Sequence, residues 1–213
     1  MKAASTKAPQ RAYWLKTLHE WHWISSAICL IGLLLFAVTG ITLNHAGQIE
    51  SKPVVVSREG QLPQPLVDAL VNAQARQTED ARLPEPVRAW VQSEMQVQLG
   101  RNAAVEWNAE EAYVPMPRPG GDAWLRLDLQ SGGVEYESTD RGWISYLNDL
   151  HKGRNTGVAW SLFLDVFAVG CLLFAVTGLL ILKMHALRRP LTWPMVGLGL
   201  VIPALLALLL VGH

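Results

Sequence analysis

The chain has 213 residues, half of them hydrophobic, with eighteen basic against eighteen acidic side chains and a mean hydropathy of +0.18. A soluble domain with its polar surface seldom reaches that hydropathy, and zero net charge excludes nucleic acid as a partner, because phosphates demand a basic face. Cys29 and Cys171 both fall in apolar runs without metal-binding or disulfide spacing, so they read as small hydrophobes and say nothing of redox compartment.

Residues 1–22 read as an N-terminal segment carrying Lys2, Lys7, Arg11 and Lys16. From Ile24 to Leu43 no charge occurs, and that length as a helix matches the hydrocarbon thickness of a bilayer, so residues 23–44 are expected to form the first transmembrane helix. The run is longer than a signal-peptide core, and Leu43-Asn44-His45-Ala46-Gly47 is a poor cleavage site, so the span is expected to be retained.

Residues 45–157 are expected to lie outside the membrane. Pro53 to Pro65 reads as a linker, and Leu66 to Ala75 and Pro86 to Leu99 carry helical apolar spacing. Short runs follow at Ala104–Trp107, Ala112–Pro115, Trp124–Leu129 and Val134–Glu137, punctuated by Pro119-Gly120-Gly121-Asp122 and Gln130-Ser131-Gly132-Gly133. They predict an antiparallel meander and hence a small α+β domain. A domain of that size is expected to lean on the membrane helices or on a second copy of itself.

Val158 to Leu182 is a second apolar run, broken only by Asp165, and Leu191 to Val211 is a third with Pro203 near its middle. They place transmembrane helices at 158–184 and 191–211, joined by a turn at 185–190. The predicted fold is therefore a mainly α membrane protein, three transmembrane helices with a small α+β domain inserted between helices 1 and 2.

Basic residues before the first span, and Lys183, Arg188 and Arg189 between the second and third, place both flanks in the cytoplasm by the positive-inside rule. The long segment then faces the periplasm of a bacterial inner membrane. Trp14, Trp21, Trp23, Trp160 and Trp193 at the ends of the runs read as interfacial anchors.

None of the six histidines lies in the middle of an apolar run. His19, His22 and His185 belong to the cytoplasmic boundary, His45 and His151 to the periplasmic one. Paired imidazoles from facing helices are what a bis-histidine b-type haem needs, and two depths predict one or two haems. Of His19 and His22, three apart on one helix face, His22 is expected to be the partner of His185. His213 is left out as a terminal residue, and zinc is disfavoured because no cluster has its ligand spacing. Asp165, a carboxylate within an apolar run, is a candidate functional acid with Arg154 or Lys152 as partner.

Leu34-Leu35-Phe36-Ala37-Val38-Thr39-Gly40 recurs identically as Leu172-Leu173-Phe174-Ala175-Val176-Thr177-Gly178. Its small residues suit close helix packing or the edge of a flat macrocycle.

Leu18-His19-Glu20-Trp21-His22-Trp23, Thr39-Gly40 through Asn44-His45, Leu150-His151-Lys152-Gly153 and Thr177-Gly178 resemble the PepSY-associated transmembrane proteins. That family includes bacterial inner-membrane ferric and ferrisiderophore reductases carrying b haems. The resemblance implies a periplasmic PepSY domain, haem b held among His22, His45, His151 and His185, and electrons delivered to ferric iron or a ferric siderophore. No dinucleotide-binding glycine motif occurs, so a quinol or a flavoprotein is expected as the electron donor, lipid as the surrounding partner, and a homodimer as the assembly. Two further readings stand beside this ferric reductase component: a non-enzymatic, membrane-anchored PepSY binding or regulatory module, and a transport accessory protein.

Overall fold

The computed structural model describes residues 7–49, 52–76, 82–100 and 102–211, so His213 lies outside the described residues. The chain divides into two compact units, Met1–Leu35 with Leu162–His213, and Phe36–Ser161.

Among the described residues three helices are long and apolar enough to cross a membrane, over Gln10–Asn44, Gly157–Arg188 and Thr192–Leu210. The first belongs to α1 (Lys7–Asn44), which is helical through residues expected to form a separate N-terminal segment. Only Pro9 stands near its start, where the missing N–H costs nothing, and no helix breaker follows before Gly32.

In the first unit α1 packs on a second long helix, Gly157–His185, by close approach at small residues. A Cβ on Gly32 would come within 2.3 Å of the Phe167 ring, and one on Gly170 within 2.8 Å of Cys29 Sγ. Glycine is the residue that lets two membrane helices approach so near. A 3-10 turn, Ala186–Arg188, leads to the last helix, Thr192–Leu206, which contains Pro203 and passes into a π-helical turn at Ala207–Val211.

The second unit holds a five-stranded antiparallel sheet: β1 (Val54–Gln61), β2 (Glu106–Trp107), β3 (Glu111–Pro115), β4 (Gly121–Asp128) and β5 (Gly133–Asp140), in spatial order β1-β5-β4-β3-β2. Helices α2 (Gln64–Ala75) and α3 (Glu85–Glu94) cover one face. Strict alternation in β4 turns Ala123, Leu125 and Leu127 inward, and Leu125 and Leu127 join Leu70 of α2, Val87 and Val91 of α3, and Val114 of β3 in one core. On the outward side Arg126 reaches Glu111 of β3 at 3.2 Å and Glu135 of β5 at 3.7 Å, a cross-strand ladder that pins the register. Leu125 is fully buried, so Leu125→Ala is expected to destabilise this unit by about 2–5 kcal/mol in thermal unfolding.

Three features depart from the sequence expectation. The segment Pro53–Pro65 is not a linker, because Val54–Gln61 pairs with β5 from Val54↔Asp140 to Gln61↔Gly133. Its valines are exposed, so the alternation that betrays a half-buried strand is missing, and β-propensity with backbone pairing makes the edge strand. Helix α3 stops at Glu94, with Gln96 in the left-handed region at φ 52°. A fourth helix, α4 (Gly142–Lys152), follows β5 and ends at Gly153, whose φ of 66° makes the left-handed cap. The two long spans are α1 and, numbered after this helix, α5 (Gly157–His185), and the third is α6 (Thr192–Leu206).

Helix α4 is tied to the sheet by Asp149, which is buried. One carboxylate oxygen accepts from Gly120 N at 2.9 Å and the other pairs with Arg154 at 3.3 Å. Gly120 has φ 72°, and a Cβ there would lie 2.7 Å from the Tyr146 backbone, so the turn before β4 requires glycine. In the next turn, the Ser131 and Gln130 amides donate to Asp128 Oδ1 at 2.6 and 2.9 Å and hold its carboxyl below the usual range.

Candidate functional site

Each unit contains a histidine seated in the repeated segment of a different helix. In the first, His22 of α1 lies on α5: Nδ1 is 3.1 Å from Thr177 Oγ1 and 3.2 Å from the Phe174 carbonyl, and the imidazole stacks on the Phe174 ring at 4.7 Å. A Cβ on Gly178 would come within 3.1 Å of His22 Cε1, so the absence of a side chain there makes room for the ring. In the second unit His151 of α4 lies on α1: Nδ1 is 2.7 Å from Thr39 Oγ1, the ring is 5.0 Å from that of Phe36, and Gly40 faces Cε1. The Phe, Thr and Gly of one heptapeptide thus make the same cradle twice. In each helix the small residues of the repeat receive an imidazole. Both threonines are buried, at 7 and 4 % exposure.

The Phe174 carbonyl beside His22 can only accept, so this Nδ1 carries hydrogen; the Thr39 hydroxyl, bonded to His151 Nδ1 at 2.7 Å, serves as donor or acceptor according to the tautomer. The other three described histidines bond to carbonyls one turn back, which can only accept: His19 to Leu15 at 2.7 Å, His45 to Ile41 at 3.0 Å and His185 to Ile181 at 2.9 Å. His19, His22, His45 and His185 therefore each direct an Nδ1–H at a carbonyl. An imidazole oriented by a hydrogen bond through one nitrogen, with the other free, is the state in which histidine ligates a metal.

The structure brings His19, rather than His22, to His185. Their ring centroids are 6.2 Å apart with planes at 90°, and both rings are exposed. His45 and His151 share the second unit without ring contact. Asp165 is exposed on α5, and among the described residues it forms no ion pair, while Arg154 is engaged by Asp149. Among the described residues no three His, Cys, Asp or Glu side chains converge as a metal cluster. The seats formed by Thr39 and Thr177 were marked in the sequence by the heptapeptide repeat, which does not say what the repeat receives.

The family model of the PepSY_TM-like proteins matches residues 13–212. The chain belongs to the PepSY_TM-like family. No curated protein and no solved structure matches it. For this PepSY_TM-like protein, the match takes in the spans, the sheet and every described histidine, with the three apolar helices of a membrane protein.

Proposed function

We propose that this PepSY_TM-like protein is a haem-b electron carrier of a bacterial inner membrane that passes electrons to ferric iron or a ferric chelate. The observation that carries the reading is the His19–His185 pair. Metal–imidazole bonds of about 2 Å on two opposite faces put ring centres roughly 6 Å apart, and this pair stands at 6.2 Å with both Nδ1 atoms tied back to carbonyls. Two exposed imidazoles on neighbouring helices would hold a b haem. His45 and His151 are the corresponding candidates in the second unit, and His22 is a further imidazole in the first.

Bound between such ligands, a b haem supplies a one-electron ferric/ferrous couple. The chain's own part is to hold the imidazoles. The Leu15, Ile41 and Ile181 carbonyls accept from Nδ1 of His19, His45 and His185, the Thr39 hydroxyl is bonded to Nδ1 of His151, and these bonds limit ring rotation. On this reading residues 45–157 face the periplasm, both ends of the chain's basic flanks face the cytoplasm, and electrons come from a quinol or a flavoprotein, with a homodimer as the assembly.

The experiment is reoxidation. Protein in lipid nanodiscs, reduced with a quinol and freed of excess, is mixed with ferric citrate. The expected result is ferrous iron trapped by a chromogenic chelator in step with loss of the reduced absorbance bands, and slowed in His45→Ala and His151→Ala. Reduced bands that persist in ferric citrate contradict the assigned acceptor.

A further inference from the structure

Helix α4 keeps its polar side inward and its apolar side out. Trp143, Tyr146, Leu147 and Leu150 recur at helical spacing and make a single stripe. Trp143 is 69 % and Tyr146 46 % exposed, and Leu147 and Leu150 are half-buried. The side that a solvated helix would present to water is covered instead. Asn148 and Asp149 are buried, Asp149 on Gly120 N and Arg154, and the Asn148 side chain on the Thr42 hydroxyl at 2.9 Å. With these polar groups satisfied inside the protein, the roll of α4 is fixed and the stripe has to face outward.

The depth at which it faces outward is set by α1. Thr42, bonded to Asn148, and Thr39, bonded to His151 Nδ1 at 2.7 Å, both belong to the charge-free run Ile24–Leu43 and to the apolar span Gln10–Asn44. The next span begins at Gly157, soon after α4 ends at Lys152, and its Trp160 Nε1 donates to the Leu150 carbonyl at 2.9 Å. Helix α4 is therefore held beside the last turns of one span and the first turn of another. The surroundings at that depth are the boundary between acyl chains and headgroups. An indole and a phenol, each an apolar ring with a polar tip, are the side chains that favour this boundary, whereas in water the same stripe would promote association.

We infer that α4 is an interfacial helix that lies in the bilayer surface, with Trp143, Tyr146, Leu147 and Leu150 toward the acyl chains. The partner is the lipid itself. Because Asp149 holds α4 to the turn before β4 and Asn148 holds it to α1, the lipid contact orients the sheet on the membrane. The inference does not depend on haem.

The test is fluorine NMR of the full chain, labelled with fluorotryptophan and reconstituted in phosphatidylcholine nanodiscs. The resonance missing from Trp143→Phe belongs to Trp143, whose exposed position lets that variant keep the fold. With a phosphatidylcholine carrying a nitroxide near the top of its acyl chain, the Trp143 resonance is expected to be lost. Trp107, assigned in the same way and lying at the end of the sheet away from α4, is expected to keep its intensity. Survival of the Trp143 resonance in the nitroxide lipid overturns the inference, and a water-soluble gadolinium chelate then shows what surrounds the ring: loss means water, and survival means a second copy or another protein. Equal loss of Trp143 and Trp107 overturns it as well, because the lipid contact is then not confined to α4.

Discussion

His185→Ala is expected to lose about half of the bound haem and the six-coordinate signature of the first unit, if each unit holds one haem on two axial imidazoles. His19→Ala is expected to do the same, because the two rings stand at 6.2 Å and are tied to carbonyls through Nδ1. His22→Ala is the discriminating variant. Its ring is held by Thr177 and Phe174 rather than by His185, so haem content is expected to stay near the parent value. The measurement is a pyridine haemochrome assay normalised to protein, with low-temperature EPR for the ligand field. A loss in His22→Ala together with retention in His19→Ala reverses the assignment of ligands.

The second large effect is expected at a residue that would touch no iron. Thr39 is buried, and its hydroxyl is hydrogen-bonded to Nδ1 of His151 at 2.7 Å. Thr39→Val keeps the shape and removes the hydrogen-bond partner, leaving Nδ1 facing a methyl group. Loss of such a supporting hydrogen bond typically costs a metal site about 10–100-fold in affinity. The expected result is that much weaker haem retention in the second unit, with the reduction potential shifted and with Thr39→Ser restoring both. Unchanged potential and haem content in Thr39→Val would mean that Thr39 serves helix packing alone.

The three apolar helices were legible from length, since each run is long enough to span a bilayer and nearly free of charge. The sheet was legible where one face is buried: β4 alternates over Trp124–Leu129 because Leu125 and Leu127 enter the core and Arg126 faces outward. β1 was not, because an edge strand with exposed valines is held by backbone pairing to β5, and that pairing leaves no period in the side chains. Nor was α4, in which Trp143 and Tyr146 are exposed while the polar Asn148 and Asp149 are buried, an inversion of the pattern by which a helix face is read.

The histidines show the same boundary. Their grouping near the ends of the spans follows from where the apolar runs stop, so it could be read directly. Which histidine faces which could not. His19 and His22 are three residues apart and differ by only about 60° around the helix, so the choice between them rests on the roll of α1 against α5. That roll is set by contacts such as Gly32 on Phe167 and Gly170 on Cys29. The identity of Phe36-Ala37-Val38-Thr39-Gly40 and Phe174-Ala175-Val176-Thr177-Gly178 announced a shared role, and only the packing shows that each receives an imidazole.

The central claim is that these oriented imidazoles hold haem, and the reduced-minus-oxidised absorption spectrum of the purified chain tests it most directly. Protein produced with ample haem supply and reconstituted in nanodiscs is recorded air-oxidised and then dithionite-reduced. The account predicts a Soret shift on reduction and a sharp α band of six-coordinate, low-spin b haem, lost in the double variant His185→Ala/His151→Ala. A folded chain with no Soret band contradicts it.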